Sequence, residues 1–231
     1  PPLDPKTRKG AIRGTMAHIK TIYRYPVKGL SAEILPSVTL TPGATIPFDR
    51  AYAIENGPSG FDPSAPTTLP KIHYLMLMRN ERLAALDTHF DEVTTTLTIR
   101  HEGATRAEGR LDTAEGRQAI EAFFATFSAA DLRGPPRILS APGFSFSDVS
   151  AKVLSLINLE TVRAFGRELG REVHPLRFRG NLMVAGMAAW EEFALVGKTV
   201  RIGTATFETV KRIERCAATN VNPVTAARDM T

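Results

Sequence analysis

Cysteine is nearly absent: Cys216 is the single one in 231 residues. A secreted disulfide scaffold is thereby excluded, and a reducing compartment fits. The thiolates that hold an iron–sulfur cluster are missing too, so the chain carries no visible electron-transfer centre of its own. Its five histidines, His18, His73, His89, His101 and His174, are scattered without pair spacing, which argues against a zinc site. There is no G-x-G-x-x-G behind a strand, no G-x-x-x-x-G-K-[ST] and no H-E-x-x-H, so Rossmann, P-loop and zincin readings have no local support. Long apolar runs are also lacking: Tyr74-Leu75-Met76-Leu77-Met78 falls far short of the roughly 18 residues that a bilayer crossing needs. Pro1 to Gly14 is polar, rich in Pro, Lys and Arg, and has no secretory h-region. We read residues 1–15 as a flexible leader and Met16 as the original start.

What is present is ordinary globular stock, with 43% hydrophobic and 23% charged residues, enough for one large domain or two small ones. The formal charge of +5 attracts anions. No helix-turn-helix, zinc-finger or RNP pattern accompanies it, so the expected partner is a phosphate-bearing small molecule, with no specific nucleic acid and no membrane. The expected location is cytoplasmic.

The pattern along the chain predicts a mainly β protein of α+β type. Ala17 to Tyr25, Glu33 to Leu40, Asp49 to Glu55, Lys71 to Met78 and Thr94 to Arg100 read as strands, with a proline-rich loop from Asn56 to Pro70. Between Tyr25 and Leu30 the strand releases a loop in which Gly29 allows close backbone approach and Lys28 offers a cation. Asp112-Thr113-Ala114-Glu115 reads as a capping box, opening a helix whose Ile120, Phe123, Phe124 and Phe127 fall on one core-facing stripe. Gly134-Pro135-Pro136 marks a domain boundary before a strand at Arg137 to Ser140. A second helix is expected after the N-cap Asn158, with a stop at Gly170. Val173 to Arg179 looks extended and would place Arg177, Arg179 and Asn181 on one face. Two short strands joined through Gly203 then lead into the cysteine segment.

That segment runs Lys211-Arg212-Ile213-Glu214-Arg215-Cys216. A lone thiol is either a packed small hydrophobe or a reactive group. Nearby cations favour the thiolate, the form that attacks electrophiles and binds soft metals. The residues by themselves leave both roles open.

Five separated stretches, taken in order, resemble one family. They are Tyr25-Pro26-Val27-Lys28-Gly29, Phe48-Asp49-Arg50-Ala51-Tyr52, Ser145-Phe146-Ser147-Asp148, Phe178-Arg179-Gly180-Asn181-Leu182 with Ala189-Trp190-Glu191-Glu192, and Arg215-Cys216 with Thr219, Val221 and Pro223. Together they resemble MOSC-domain proteins, above all the branch with a β-rich N-terminal domain that includes the amidoxime-reducing proteins. The resemblance implies an N-terminal MOSC β-barrel domain over 16–134 and a MOSC β-barrel domain over 135–231, with a few flanking helices and without its closing strands. It implies a molybdenum cofactor between them, with Cys216 as the metal's protein ligand. By motif position Lys28 and Arg50 would hold the cofactor's phosphate, Arg179 would contribute charge and Asn181 would hydrogen-bond the pterin, with Gly29 and Arg215 also binding the cofactor. Ser147 and Asp148 would line the pocket, with Asp148 as a proton carrier. Family members are also associated with pyridoxal phosphate.

The implied activity is reduction of N-hydroxylated compounds by oxygen-atom transfer, with electrons from a separate flavoprotein or iron–sulfur protein. The alternative is a non-catalytic carrier of molybdopterin or sulfane sulfur on Cys216. Three positions depart from the family pattern. Gly29 replaces a common serine, Gly180 a common proline, and Glu214 the serine often found before Arg-Cys.

Overall fold

The computed structural model describes residues 16–230, so the expected leader lies outside the described residues. It is mostly β, with two α-helices among the described residues. The first strand, β1 (His18–Arg24), pairs antiparallel on one side with β2 (Glu33–Leu35). Pro36 follows β2 in the sequence, and the extended run expected to reach Leu40 stops there because proline has no N–H to continue a ladder. Next comes β3 (Ala53–Asn56), all four residues of which are buried.

The expected strand over Lys71 to Met78 is instead a 3-10 turn at Lys71–His73 followed by a loop. One bridge, between Tyr74 and Glu55, is all the pairing this run achieves. Asn80 then folds the chain back, its side chain accepting from the Met76 N–H at 2.9 Å. A three-stranded meander follows, built from β4 (Asp87–Asp91), β5 (Thr96–His101) and β6 (Ala104–Arg110). In β5 the expected alternation holds, with Leu97 and Ile99 buried. The flanking β4 and β6 are too polar to be read from hydrophobic period alone: β6 buries no residue.

Helix α1 (Ala114–Phe127) packs on this meander. Its N-cap is Thr113, which accepts from Gly116 N–H. Asp112, the cap expected from sequence, instead pairs with Arg110 at 2.8 Å. Ile120 and Phe124 are fully buried, while Phe123 and Phe127 pack against the core from partly buried positions. Beyond the Gly-Pro break, β7 (Pro136–Leu139) returns to pair antiparallel with β3.

The remaining strands complete a sheet that began at the other end of the chain. β8 (Leu156–Asn158) leads directly into helix α2 (Leu159–Glu168), with the Asn158 side chain capping Glu160 N–H as expected. Val173 to Arg179 is not extended: Pro175–Phe178 forms a 3-10 turn, with Pro175 at its start and the His174 side chain accepting from Leu176 N–H. Strand β9 (Leu182–Ala185) then inserts between β1 and β8, giving the order β2-β1-β9-β8. The hairpin of β10 (Thr199–Ile202) and β11 (Ala205–Glu208) forms its own two-stranded sheet. No helix among the described residues is long and apolar enough to cross a membrane.

The seam between α1 and β6 depends on two glycines. A Cβ on Gly116 would lie 2.1 Å from the Arg110 carbonyl oxygen, so backbone meets backbone there. Alanine is the better helix former by about 1 kcal/mol, but overpacking opposes it. We expect Gly116→Ala to destabilise the fold by about 1–3 kcal/mol in denaturant unfolding, the reverse of what propensity alone predicts.

A cation-lined cleft as candidate functional site

Five stretches distant in sequence are laced together by hydrogen bonds. The Tyr25–Lys28 loop lies beside residues 50–52: Arg50 N donates to Tyr25 O at 2.7 Å, Lys28 N to Tyr52 O at 2.8 Å and Tyr52 N to Pro26 O at 3.1 Å. Phe146 N donates to Arg50 O at 2.7 Å, and Ser145 Oγ to Asp49 O at 3.0 Å. The 179–181 stretch joins from the other side, where Arg50 donates to Arg179 O at 3.0 Å and Tyr25 Oη to Gly180 O at 3.2 Å. Arg215 donates to Phe178 O at 3.0 Å and brings Cys216 to the same region. Lys28, Arg50, Arg179, Arg215 and Cys216 all line one broad open cleft of about 2500 Å³.

The cations differ in how far they are neutralised. Lys28 is buried, and its ammonium donates to Phe146 O at 2.8 Å and to Asp148 Oδ1 at 2.5 Å. Desolvation lowers the Lys28 pKa, with Arg50 and Arg179 acting the same way and Asp148 against them. Desolvation alone would raise the Asp148 carboxyl, but Lys28, Lys71 and Arg50 outweigh it and hold it below its usual range. Asp148 is therefore ionised at neutral pH and serves as the counter-ion of Lys28.

Arg50 is ion-paired with the buried Asp49. Arg179 bonds only a carbonyl, Leu30 O, at 2.8 Å. Burial pulls its guanidinium down to about 10, which leaves it charged at neutral pH. Desolvation likewise lowers Arg215, while the neighbouring Cys216 works in the opposite direction.

Gly29, Ser147, Asp148 and Asn181 line the same cleft, and the side chains of the last three also bond within the protein. The Asn181 amide is consumed inside the protein: its oxygen accepts from Ser155 N and Oγ at 3.2 and 3.0 Å, and its nitrogen donates to Tyr23 O at 3.1 Å. Ser147 Oγ donates to Val149 O at 2.5 Å. Gly29 can offer only backbone: its φ is +86°, and a Cβ there would sit 3.0 Å from Leu75 O. At Gly180 a Cβ would collide with Ile157 Cγ1 at 2.3 Å. Both glycines that depart from the family pattern thus sit where this fold leaves no room for a side chain.

Arg177 does not share a face with Arg179. It is buried, donating to Asp229 at 2.6 Å and to Thr219 O at 3.1 Å, because the 3-10 turn rotates it away from the cleft's other arginines. Glu192 accepts from Asn158 and Thr161 at 2.8 and 2.9 Å, so the Trp190-Glu191-Glu192 stretch braces the start of α2. Sequence reasoning missed Asp49 and Lys71 as charged neighbours of the cleft's Arg50 and Asp148, and the Tyr25 ring beside Arg50 and Arg179. The Asp-Arg pairing at 49–50 was the available signal for the first; nothing local marks Lys71, whose ammonium lies 3.8 Å from Asp148.

Two family models divide the chain. The MOSC N-terminal beta barrel domain matches residues 16–133, and the MOSC domain matches residues 140–230. The chain belongs to the MOSC-domain family. No curated protein matches it. MOSC domains are associated with molybdenum cofactor binding, and the cleft's donor set suits such a group. Cys216 is a free, partly exposed thiol, and thiolate is a suitable ligand for a soft, sulfur-rich metal centre. Among the described residues no cluster of three His, Cys, Asp or Glu could hold a metal by itself, so the cysteine would be the protein's own contribution. The guanidiniums of Arg179 and Arg215 lack carboxylate partners among the described residues, which suits an anionic group. Glu214 lines the same cleft. Among the described residues no ion pair joins it to Arg212, whose guanidinium lies 4.3 Å from the Phe193 ring centroid.

The Lys28–Asp148 pair has a definite pH signature. A carboxyl lowered in the folded state stabilises above its unfolded pKa, and that contribution is lost as pH falls through the folded one. Because Asp148 is half exposed, the pair is worth only about 1 kcal/mol. We expect Asp148→Asn to lose about that much in urea unfolding at pH 7, and the gap to wild type to close in acid below the carboxylate range.

Proposed function

We propose that this protein is a molybdenum-cofactor-dependent reductase of N-hydroxylated compounds, working in the cytoplasm with electrons from a separate flavoprotein or iron–sulfur protein. The observation that carries this reading is the position of Cys216, a free cysteine lining the same cleft as Lys28, Arg50, Arg179 and Arg215. Net conversion takes an N–OH group, two electrons and two protons to N–H and water. The bound cofactor would supply two-electron oxygen-atom-transfer chemistry.

The chain's own residues hold, neutralise and protonate. Cys216 would supply the sulfur ligand, next in the chain to the Arg215 guanidinium, which donates to Phe178 O. Arg179 and Arg215 offer charge to the cofactor's anionic part. The Lys28 ammonium, with its pKa lowered by burial, is the group in the cleft best suited to hold a transferable proton at Nζ. An external donor is required because a lone cysteine cannot carry an iron–sulfur cluster.

One observation favours a second reading, a carrier of sulfane sulfur on Cys216. Glu214 adds negative charge to the cleft two residues before the thiol, which opposes an anionic cofactor. The two readings separate cleanly. Produced in a host that makes molybdenum cofactor, the wild type should contain molybdenum and reduce benzamidoxime with an artificial electron donor. Cys216→Ser should lower the molybdenum content by about tenfold or more, the scale expected when ligation is weakened. Wild-type protein without metal, carrying one extra sulfur by mass at Cys216, would favour the carrier and overturn the reductase.

A further inference from the structure

The lone cysteine opens a short turn, and a buried charge holds that turn. Cys216 is the N-cap of a 3-10 turn over Ala217–Asn220, and its side chain makes no capping bond. Its carbonyl accepts from Thr219 N and from Thr219 Oγ1, both at 3.1 Å. Thr219 O in turn accepts from Arg177 Nη1 at 3.1 Å. The Arg177 side chain is only 2% exposed, and its Nε has no hydrogen-bond partner among the described residues. A buried guanidinium without a counter-charge is strongly destabilising. This one depends on Asp229, whose two carboxylate oxygens accept from Nη2 at 2.6 and 2.9 Å.

Asp229 is itself fixed by more than one ion pair. Asn222 Nδ2 and Arg171 Nη2 donate to its carboxylate at 2.9 and 3.0 Å, and its own N–H donates to Asn220 O at 3.1 Å. The hydrogen bond from Asn222, followed by Arg177 and Arg171, holds the carboxyl below its usual range, so its charge is present at neutral pH. The neighbouring Arg228 donates to Ala217 O at 3.2 Å, and also to Met78 O and Glu81 at 3.0 Å each. With Val221 N donating to Ala218 O at 3.2 Å, every carbonyl from Cys216 to Asn220 has a partner. The turn buries no residue, so these bonds rather than apolar packing hold it, and a 3-10 turn has poor hydrogen-bond geometry of its own.

We propose that Asp229 is a positioning residue: through Arg177 it fixes the turn that Cys216 opens, and so holds the lone thiol at one place in the cleft. Without the Asp229 charge the Arg177 guanidinium is buried and uncompensated. It must then turn toward water or another acceptor, and either movement releases Thr219 O and loosens the turn. What the thiol does rests on the reading above; where it is held does not, because a metal ligand and a sulfur carrier need the same fixed turn.

The test uses the full chain, produced both with and without molybdenum cofactor, and compares variants within each preparation. Asp229→Asn keeps the size and an acceptor but removes the charge. The Thr219 and Val221 amides should exchange hydrogen about tenfold faster in it than in wild type, the factor that matches one lost hydrogen bond. In the cofactor-free preparation, where no metal shields the thiol, iodoacetamide should modify Cys216 several-fold faster. Gly116→Ala, weakened at the separate α1–β6 seam, is the control and should leave both readings as in wild type. Should Asp229→Asn fail to fold, Arg177→Lys decides: it keeps a charge beside Asp229 but lacks the fork that also reaches Thr219 O, and it should loosen the turn in the same way. Turn exchange and thiol rates equal to those of wild type, or shifted equally in Gly116→Ala, overturn the proposal. Molybdenum content is measured separately. A loosened turn in Asp229→Asn with no metal in the wild type would sink the reductase reading and leave the positioning role standing; metal in the wild type with an unchanged turn would do the opposite.

Discussion

The cleft exists because β1 runs antiparallel to β9. Their register places Ile22 opposite Leu182 and Ile19 opposite Val184. At the end of this ladder Asn181 extends the pairing, donating from its side chain to Tyr23 O and accepting the Tyr23 N–H at 2.7 Å on its backbone oxygen. A buried amide whose oxygen and nitrogen both have partners is a strong positional lock, since any displacement strands polar groups in the interior. Tyr25 follows two residues later and Arg179 precedes by two, so the lock sets the distance between the two sides of the cleft. The matched families thus meet through shared strands: β1 lies in the first matched region, β9 in the second.

Within that frame the electrostatics divide into settled and unsettled charge. Lys28 and Arg50 have carboxylate partners in Asp148 and Asp49. Arg179 and Arg215 have carbonyl oxygens only. Carbonyl dipoles orient a guanidinium without cancelling its charge. Asp148 bridges to Lys71 as well, and it is the carboxylate that an incoming anion must compete with at Lys28. Near the thiol the balance is set by Arg215 and by Glu214, which lines the same cleft.

Much of this was legible in the sequence, for identifiable reasons. Period-two alternation marked β5, and side-chain oxygens at helix starts marked both helices to within a residue or two. The caps show the limit: at α1 two adjacent candidates competed, and Thr113 took the role because Arg110 had claimed Asp112. The ordered motifs pointed to one cleft because each carries an unusual residue next to a turn. What could not be read was long-range pairing. The engagement of Lys28 by Asp148 joins residues 120 apart, and no local pattern encodes it. The alternation of Arg177, Arg179 and Asn181 resembled a strand, but Pro175 and a histidine cap turned it into a 3-10 turn, sending the three side chains to three different tasks. Strand β6 was not legible because it buries no residue and is held by pairing with β5, while β4 offers only Thr88 and Phe90 to the interior among three charged or histidine neighbours.

The span of the Asn181 lock bears on the order of events as the chain folds. Tyr23 and Asn181 are 158 residues apart, and closing so long a loop costs entropy before any contact repays it. The α1 meander is local and can form early, whereas the β1–β9 ladder must wait until most of the chain has been made. Until then β1 has only the short β2 beside it, an open edge that invites mispairing with other strands. Cys216 lies beyond β9 in the chain. During synthesis from the N-terminus, the strands that gather the arginines therefore emerge before the thiol does.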